Sequence, residues 1–395
     1  MKKNAVLLVI EGTYPWYRGG VSEWVHQYLR SITAKSFNIL QVATDQFRDM
    51  TIGEALYNVP SHVDKFERIP PPDLTQPWKK ESKRWFKEVK ERIHPLVENS
   101  EIVHIANTGT AGWLGKEVAQ KYKKPLLLTE HALYWKEIAM GAIALECGYK
   151  IPRSSVDKQH LTNVFRKIAA EIYGEADKVV SVSRCNVEEQ QTLGAQNVEY
   201  IPNGISANWL LRSAKQRSQK ITIGWIGRCA EMKNPMKFFE VIDSFETENV
   251  DNVQFLMLSC DADEPKLEKK VKHRAQKYPK LTFKWNRSTE NYIDQMDALC
   301  ITSHNESQPL VLFEALSRKV LPIGWQAGDV TDQYGLILEN DIDTRQLVKK
   351  VMALWETPEQ WQEEVQQRFL EVEKHHVWNK VFDRYKDIFS TIIKH

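Results

Sequence analysis

The segment Ser303-His304-Asn305-Glu306-Ser307-Gln308-Pro309-Leu310-Val311-Leu312-Phe313-Glu314 carries a dense set of groups able to hold a polar ligand. It reads as a strand exit followed by a helix that Pro309 can open at its first turn. Glu306 then lies in the loop and Glu314 inside the helix, eight residues on. The amides of Leu310 and Val311 have no carbonyl partner one turn back, so they point at whatever sits between the two carboxylates. Acceptors for hydroxyls at both ends and amide donors in the middle suit a sugar diphosphate. Alone, the two glutamates describe equally a solvated loop and a helix-start Glu favoured by the macrodipole.

Other segments add to that chemistry. Gly227-Arg228 follows the apolar run Ile221 to Ile226, with Lys233 five residues on, before Asn234-Pro235. By themselves, an Arg and a Lys in a strand-to-helix loop describe a solvated surface. Gly19-Gly20 stands directly before a helical stretch starting near Val21, where backbone can approach a ligand without an intervening Cβ. The loop does not match GxGxxG, so the dinucleotide fingerprint is absent. His131 follows the run Pro125 to Thr129, Ser183 follows Val179-Val180, and Pro202-Asn203-Gly204-Ile205 precedes a polar stretch. Asn203-Gly204 is equally a plain turn. Trp16 and Tyr17, in the first loop, suit either stacking on an acceptor sugar ring or anchoring the loop.

These groups need a frame that puts them at strand ends. Apolar runs at Ala5 to Ile10, Phe37 to Ala43, Ile102 to Ala106, Pro125 to Thr129, Lys178 to Ser183 and Val198 to Ile201 alternate with helical periods such as Val21 to Ile32 and Gly115 to Tyr122. That is the pattern of a doubly wound parallel sheet. Ser206 to Lys220 is polar and aperiodic and is expected to be an interdomain linker between domains at 1–205 and 221–374. The second half repeats the pattern with strands expected at Ile221 to Ile226, Val253 to Ser259, Leu281 to Trp285, Leu299 to Ser303, Val320 to Gly324 and Gly335 to Leu338. Helices are expected at Pro235 to Phe245, Tyr292 to Ala298 and Leu310 to Arg318. The tail, with Trp378, Phe382, Tyr385 and Phe389, is too apolar to stay in water. Residues 375–395 are therefore expected to form a helix packing back on the first domain.

Composition narrows the partners. With 395 residues, 54 Lys plus Arg against 52 Asp plus Glu and a formal charge of +2, the chain has no global field to attract nucleic acid. Hydrophobic content of 42% and charged content of 27% are ordinary globular values. Met1 to Asn4 leads directly into a strand-like run, which argues against a signal peptide. Cys147, Cys185, Cys229, Cys260 and Cys300 stand singly without metal-ligand spacing, as expected for a reducing cytoplasm and no structural metal. Trp78 to His94 combines seven Lys and Arg with Trp85, Phe86, Val89 and Ile93 at helical spacing. It suits contact with an anionic membrane, while Glu81, Glu88 and Glu91 favour an ordinary surface helix.

Taken in order, the segments resemble those of the retaining glycosyltransferase family 4, with Glu306 and Glu314 as its E-x7-E signature. Tyr14-Pro15, Arg18-Gly19-Gly20-Val21-Ser22, Thr129-Glu130-His131 and Glu306-Ser307-Gln308-Pro309-Leu310 carry the resemblance, which spans about Val6 to Ile337 and is narrowest to the PelF-like exopolysaccharide branch. The commoner pattern has Gly and an aromatic where this chain has Ser307 and Gln308, which leaves the sugar open. The family's second glycine pair is present only as Ala327-Gly328-Asp329, so that loop is expected to bind less closely.

The resemblance implies the GT-B fold: two doubly wound Rossmann-like domains facing across a cleft. It implies that Arg228 and Lys233 neutralise the donor diphosphate and that His131 and Glu306 hold the donor sugar. It makes Gly19, Gly20, Ser183, Asn203, Pro309, Leu310, Val311 and Glu314 donor-binding, with Glu314 on the ribose. The implied reaction is retaining hexosyl transfer by same-face substitution, from UDP-glucose or, as alternative, UDP-N-acetylglucosamine or another UDP-sugar. The acceptor would be a glycan, a lipid-linked sugar or another hydroxyl, without metal or cofactor, in the cytoplasm or at the inner face of the membrane. Two competing readings are a GT-B epimerase, for which no acid and base carboxylate set is legible in the first half, and a non-catalytic sugar-nucleotide-binding subunit.

Overall fold

The computed structural model describes residues 5–12, 14–17, 19–44, 50–141, 149, 152, 154–213, 215–262 and 264–393. Met1 to Asn4, Arg18 and Cys147, all used above, lie outside the described residues. The chain forms two compact units, Met1–Asn203 with Trp378–His395, and Gly204–Val377.

The first unit is built on seven parallel strands: β1 Ala5–Glu11, β2 Ser36–Val42, β3 Val63–Ile69, β4 Ser100–Ala106, β5 Leu126–Glu130, β6 Lys178–Ser181 and β7 Val198–Tyr200. Their order is β3-β2-β1-β4-β5-β6-β7, so the winding reverses between β1 and β4. β1 and β2 are buried at every position, as parallel strands covered on both faces must be. β3, which no apolar run announced, is a half-exposed edge strand. Its Asp64, Lys65, Glu67 and Arg68 hide the alternation while protecting the edge from foreign pairing.

Helices α1 Gly20–Ser31, α2 Trp78–Val97, α3 Thr110–Tyr122, α4 Tyr134–Met140, α5 Ser155–Glu175 and α6 Val187–Thr192 complete the winding. α2 buries Trp85, Val89, Ile93, Leu96 and Val97 in the unit's own core. Of the apolar positions read in the basic segment, Trp85, Val89 and Ile93 are therefore used inside the protein, while Phe86 is half-buried.

The second unit has six parallel strands: β8 Ile221–Arg228, β9 Val253–Cys260, β10 Leu281–Trp285, β11 Ala298–Ile301, β12 Leu321–Trp325 and β13 Leu336–Leu338. The order β10-β9-β8-β11-β12-β13 reverses between β8 and β11. Helices α7 Pro235–Thr247, α8 Pro265–Ala275, α9 Leu310–Ser317, α10 Thr344–Trp355 and α11 Pro358–His375 cover it. The helix expected at Tyr292 to Ala298 is instead two 3-10 turns, Thr289–Asn291 and Ile293–Gln295, leading into β11. The stretch is too short for a nucleated helix, and the Asp297 carboxylate accepts the Thr222 N–H at 2.9 Å, tying the turn to β8.

The segment read as a linker, Ser206 to Lys220, lies within the second unit. Trp209 and Leu210 pack on that unit's core, and the Leu211 N–H donates to the Ser317 carbonyl at 2.8 Å. Lys215 donates to the Met296 carbonyl and Arg217 to the Trp355 carbonyl, so the polar residues are tethers. A last helix, α12 Trp378–Ile392, belongs to the first unit. Phe382 and Tyr385 contact the rings of Trp24 and Tyr28 on α1, and Arg384 donates to Glu199 and to the Tyr200 carbonyl.

Candidate functional site

In the second unit the expected cations and carboxylates come from the two strands that flank the reversal, the place where open α/β sheets bind ligands. β8 ends on Arg228, half-buried, and the chain continues through a 3-10 turn, Glu231–Lys233, into α7. Asn234 takes a left-handed conformation, φ 48, between that turn and Pro235. Asparagine tolerates this region better than most residues.

β11 leads into residues 302–309, the loop that carries Glu306. The Thr302 hydroxyl lies 2.8 Å and 2.9 Å from the Lys233 and Asn234 carbonyls, and accepts the Trp225 indole N–H at 2.9 Å. The His304 N–H donates to the Met232 carbonyl at 2.9 Å. These bonds strap the two loops together and bring Lys233 Nζ to 2.5 Å from Glu306 Oε1, across 73 residues of sequence. On the other side, the Asp329 N–H donates to the Glu306 carbonyl at 3.1 Å. Gly328, at φ +57, approaches that carbonyl so closely that a Cβ would lie 1.9 Å from it. The Ala327-Gly328-Asp329 turn therefore positions Glu306.

Pro309 lies one residue outside α9 rather than in its first turn, because its ψ of 127 is extended and Leu310 is the first helical residue. The amides of Leu310 and Val311 stand at the helix start, where no carbonyl one turn back can take them. Glu314 is half-buried in α9.

In the first unit, Gly19 caps α1 and Gly20 is its first residue. Nothing lies within 4 Å of where a Gly20 Cβ would stand, so packing within the unit does not demand a glycine there. One turn on, the Trp24 indole meets the His131 imidazole edge-to-face, with centroids 4.9 Å apart. His131 is 7% exposed, and its backbone N–H donates to Asn107 Oδ1 at 2.7 Å. Its Nε2 is buried without a hydrogen-bond partner, and burial pushes the imidazole down to about 3, which keeps it neutral. The structure thus brings His131 and the start of α1 together. Ser183 is buried, its Oγ 3.1 Å from Cys185 Sγ, and Asn203 is the last residue of the unit's N-terminal segment.

Trp16 is not available for stacking on a sugar. It is 3% exposed, its indole N–H donates to the Thr51 carbonyl at 2.8 Å, and the Arg68 guanidinium covers one face at 4.2 Å from the centroid. It anchors the loop. Tyr17 is half-buried.

The sequence did not disclose a pair of buried carboxylates in the first unit. Glu11, at the end of β1, accepts from the Thr110 hydroxyl at 2.9 Å, from the Ala111 N–H at 2.8 Å and from the Tyr149 hydroxyl. Glu130, at the end of β5, accepts from the Thr108 N–H and hydroxyl at 3.1 Å and from the Tyr173 hydroxyl at 2.5 Å. Both therefore hold residues 107–111, whose Asn107 in turn holds His131. Burial raises Glu130 to about 7 against the lowering effect of its Tyr173 and Thr108 bonds, and raises Glu11 as well. Their signal in sequence was acidic residues ending continuous apolar runs. The first half does then contain paired acids: both Glu130 oxygens and Glu11 Oε1 accept from internal donors, while Glu11 Oε2 is buried without a hydrogen-bond partner.

Among the described residues, no three His, Cys, Asp or Glu side chains group to hold a metal ion, and Cys185, Cys229, Cys260 and Cys300 form no disulfide. No described helix is long and apolar enough to cross a membrane.

Residues 4–101 and 88–198 match the model described as "Domain of unknown function (DUF3492)", and residues 209–368 match "Glycosyl transferases group 1". No curated protein matches significantly. Among solved structures, a sucrose-phosphate synthase from Thermosynechococcus elongatus is 15% identical, with 99% of this chain and 100% of that chain covered and a TM-score of 0.74. WaaG, a glycosyltransferase involved in lipopolysaccharide biosynthesis, is 12% identical, with 98% and 100% covered and a TM-score of 0.64. A structure described as "Trehalose-6-phosphate from E. coli bound with UDP-2-fluoro glucose" is 10% identical, with 98% and 99% covered and a TM-score of 0.71. Residues 209–368 of the second unit thus match the Glycosyl transferases group 1 model, and the chain has the two-unit, parallel-sheet GT-B fold of the solved glycosyltransferase structures that it matches.

Proposed function

We propose that the chain is a retaining hexosyltransferase of glycosyltransferase family 4, in its PelF-like branch, using a UDP-sugar donor. The carrying observation is the convergence of Lys233, Glu306 and the start of α9 on the strand ends at the β8/β11 reversal. Arg228, Lys233 and the α9 amides supply positive charge for a departing diphosphate. Glu306 and the neutral His131 hold sugar hydroxyls, and Glu314 the ribose. UDP-glucose is the favoured donor, in keeping with the UDP-2-fluoro glucose bound by one relative of the same fold.

The new bond forms on the face the diphosphate leaves, and a phosphate oxygen of the leaving group takes the acceptor's proton. That reaction asks for positioning and charge stabilisation more than for a tuned acid. Gly20, free of packing demands, leaves room for a ligand to approach the backbone at the start of α1. The acceptor is a glycan, lipid-linked or other hydroxyl, reached in the cytoplasm or at the inner face of the membrane. No metal enters the scheme, because the protein's own cations and amides fill that role.

The test is slow UDP-glucose hydrolysis without acceptor, followed as UDP release. Arg228→Ala or Lys233→Ala should cut it at least about 100-fold, the scale of a lost charge stabiliser. Unchanged turnover in both variants would sink the assignment.

A further inference from the structure

The first unit carries a cavity that shares no residue with the groups considered so far for the reaction. It has a volume of about 630 Å³, within the range of small-ligand sites, and is lined by α2, α3 and α5. Each helix gives one stripe at helical spacing: Trp78, Ser82 and Phe86 from α2, Trp113 and Glu117 from α3, and His160, Val164, Lys167 and Glu171 from α5. α2 thus carries two apolar stripes. The core buries the one through Trp85, Val89 and Ile93, and the one through Trp78 and Phe86 is left half-buried at the cavity.

The aromatic part is ordered. Trp113, 5% exposed, receives Trp78 edge-on at 5.2 Å and Phe86 edge-on at 6.4 Å, and stacks on the buried Trp85 at 6.2 Å. Beside it lies Lys116, a cation only 5% exposed. Its ammonium is 5.5 Å from the Trp113 centroid, donates to Glu117 Oε1 at 2.6 Å, and lies 3.4 Å from Glu171 Oε2. Two carboxylates are therefore held at the cavity by a buried cation, while Lys79, Lys83 and Lys167 line it from the outer faces of their helices.

That inventory selects among ligands. An anion would be drawn by the lysines but must approach Glu117 and Glu171. An apolar ligand would have to strip water from charged groups without replacing their hydrogen bonds. A neutral sugar has C–H faces that pack on aromatic rings and hydroxyls that both donate and accept, so it uses the rings, the carboxylates and the ammoniums together. We propose that this cavity binds a neutral oligosaccharide, with Trp78 and Phe86 as ring platforms and Glu117, Glu171 and Lys167 as hydroxyl partners. It would hold a glycan separately from the residues assigned to transfer, and binding there does not depend on the donor reading.

The experiment is titration of the full chain with maltotetraose, cellotetraose and chitotetraose, read by tryptophan fluorescence and saturation-transfer NMR. At least one tetramer should bind saturably with a Kd of about 1 mM or tighter. Trp78→Ala and the exposed-site variant Glu171→Gln should each weaken binding about tenfold or more, equivalent to ~1.4 kcal/mol. Lys233→Ala should leave binding unchanged while cutting UDP-glucose turnover at least about 100-fold, which separates this site from the donor site. Should Trp78→Ala not fold, Glu171→Gln and Lys167→Ala carry the test. Absence of saturable binding by all three tetramers, insensitivity of binding to these variants, or replacement of sugar binding by binding of inorganic phosphate or anionic vesicles would overturn the proposal.

Discussion

Lys233 Nζ stands 2.5 Å from Glu306 Oε1, so a cation assigned to the diphosphate and a carboxylate assigned to the sugar are partners before any donor arrives. Their side chains are 23% and 11% exposed, which leaves the ion pair open to exchange of partners. Lys233→Met should weaken UDP itself by about tenfold, the loss of one charge-assisted phosphate contact. Glu306→Gln should leave UDP affinity nearly unchanged and reduce UDP-glucose turnover instead. Calorimetric titration with UDP, set beside turnover of the same two variants, separates the roles; equal loss of UDP affinity in both would contradict them.

Two glycines should respond oppositely to alanine. Gly20→Ala meets no atom within 4 Å and has no left-handed φ, so stability should stay within about 0.5 kcal/mol while the KM for UDP-glucose rises. Gly328→Ala meets the Glu306 carbonyl at 1.9 Å and a φ of +57, so it should destabilise by more than about 1 kcal/mol and lower turnover as well. Urea unfolding beside donor kinetics checks both.

Glu130 should make stability depend on pH with an unusual sign. Burial holds its carboxyl at about 7, against 4.5 as the ordinary value, with Glu11 adding to the rise and Tyr173 and Thr108 opposing it. The folded state therefore binds more protons than the unfolded one between these values. The contribution is fully present below about pH 4.5 and is lost as pH rises through about 7, by up to about 3 kcal/mol. His104 and His131, both pushed down to about 3, act in the reverse sense as pH falls below 6.5. The difference between wild type and Glu130→Gln isolates the carboxyl: the gap in unfolding free energy should change between pH 5 and pH 8, and a constant gap would refute the assignment.

His131 should not appear in the pH–rate profile. An imidazole held near 3 stays neutral between pH 5 and pH 8, so any ionisation seen there should survive in His131→Asn, whose turnover falls without a shift in profile.

Phe382→Ala should cost about 3–5 kcal/mol, the scale for truncating a buried aromatic. Phe382 is fully buried and contacts Trp24, Tyr28, Trp378 and Tyr385. Because Trp24 also meets His131, turnover should fall along with the melting temperature.

The two sheets were legible because strands such as β1 and β2 are buried on both faces and read as unbroken apolar runs. β3 was not, because an edge strand needs apolar residues on part of its surface only. The site was legible where function concentrates unusual residues in one loop, as in Ser303 to Glu314 and Gly227 to Lys233. The determinants of loop packing were not: Thr302 is an ordinary residue until its hydroxyl reaches the Lys233 loop, and Trp16 is an aromatic of open purpose until Thr51 and Arg68 occupy it.

By itself the sequence determined the two doubly wound halves, the helix and strand periods, and the identities of the charges at the strand ends, all of which depend on neighbours in the chain. Tertiary structure alone decided that Lys233 and Glu306 pair across 73 residues and that Glu11 and Glu130 meet at the strap 107–111. These are long-range contacts, set by strand order and by which polar groups must find partners once buried. No local pattern of residues encodes that choice.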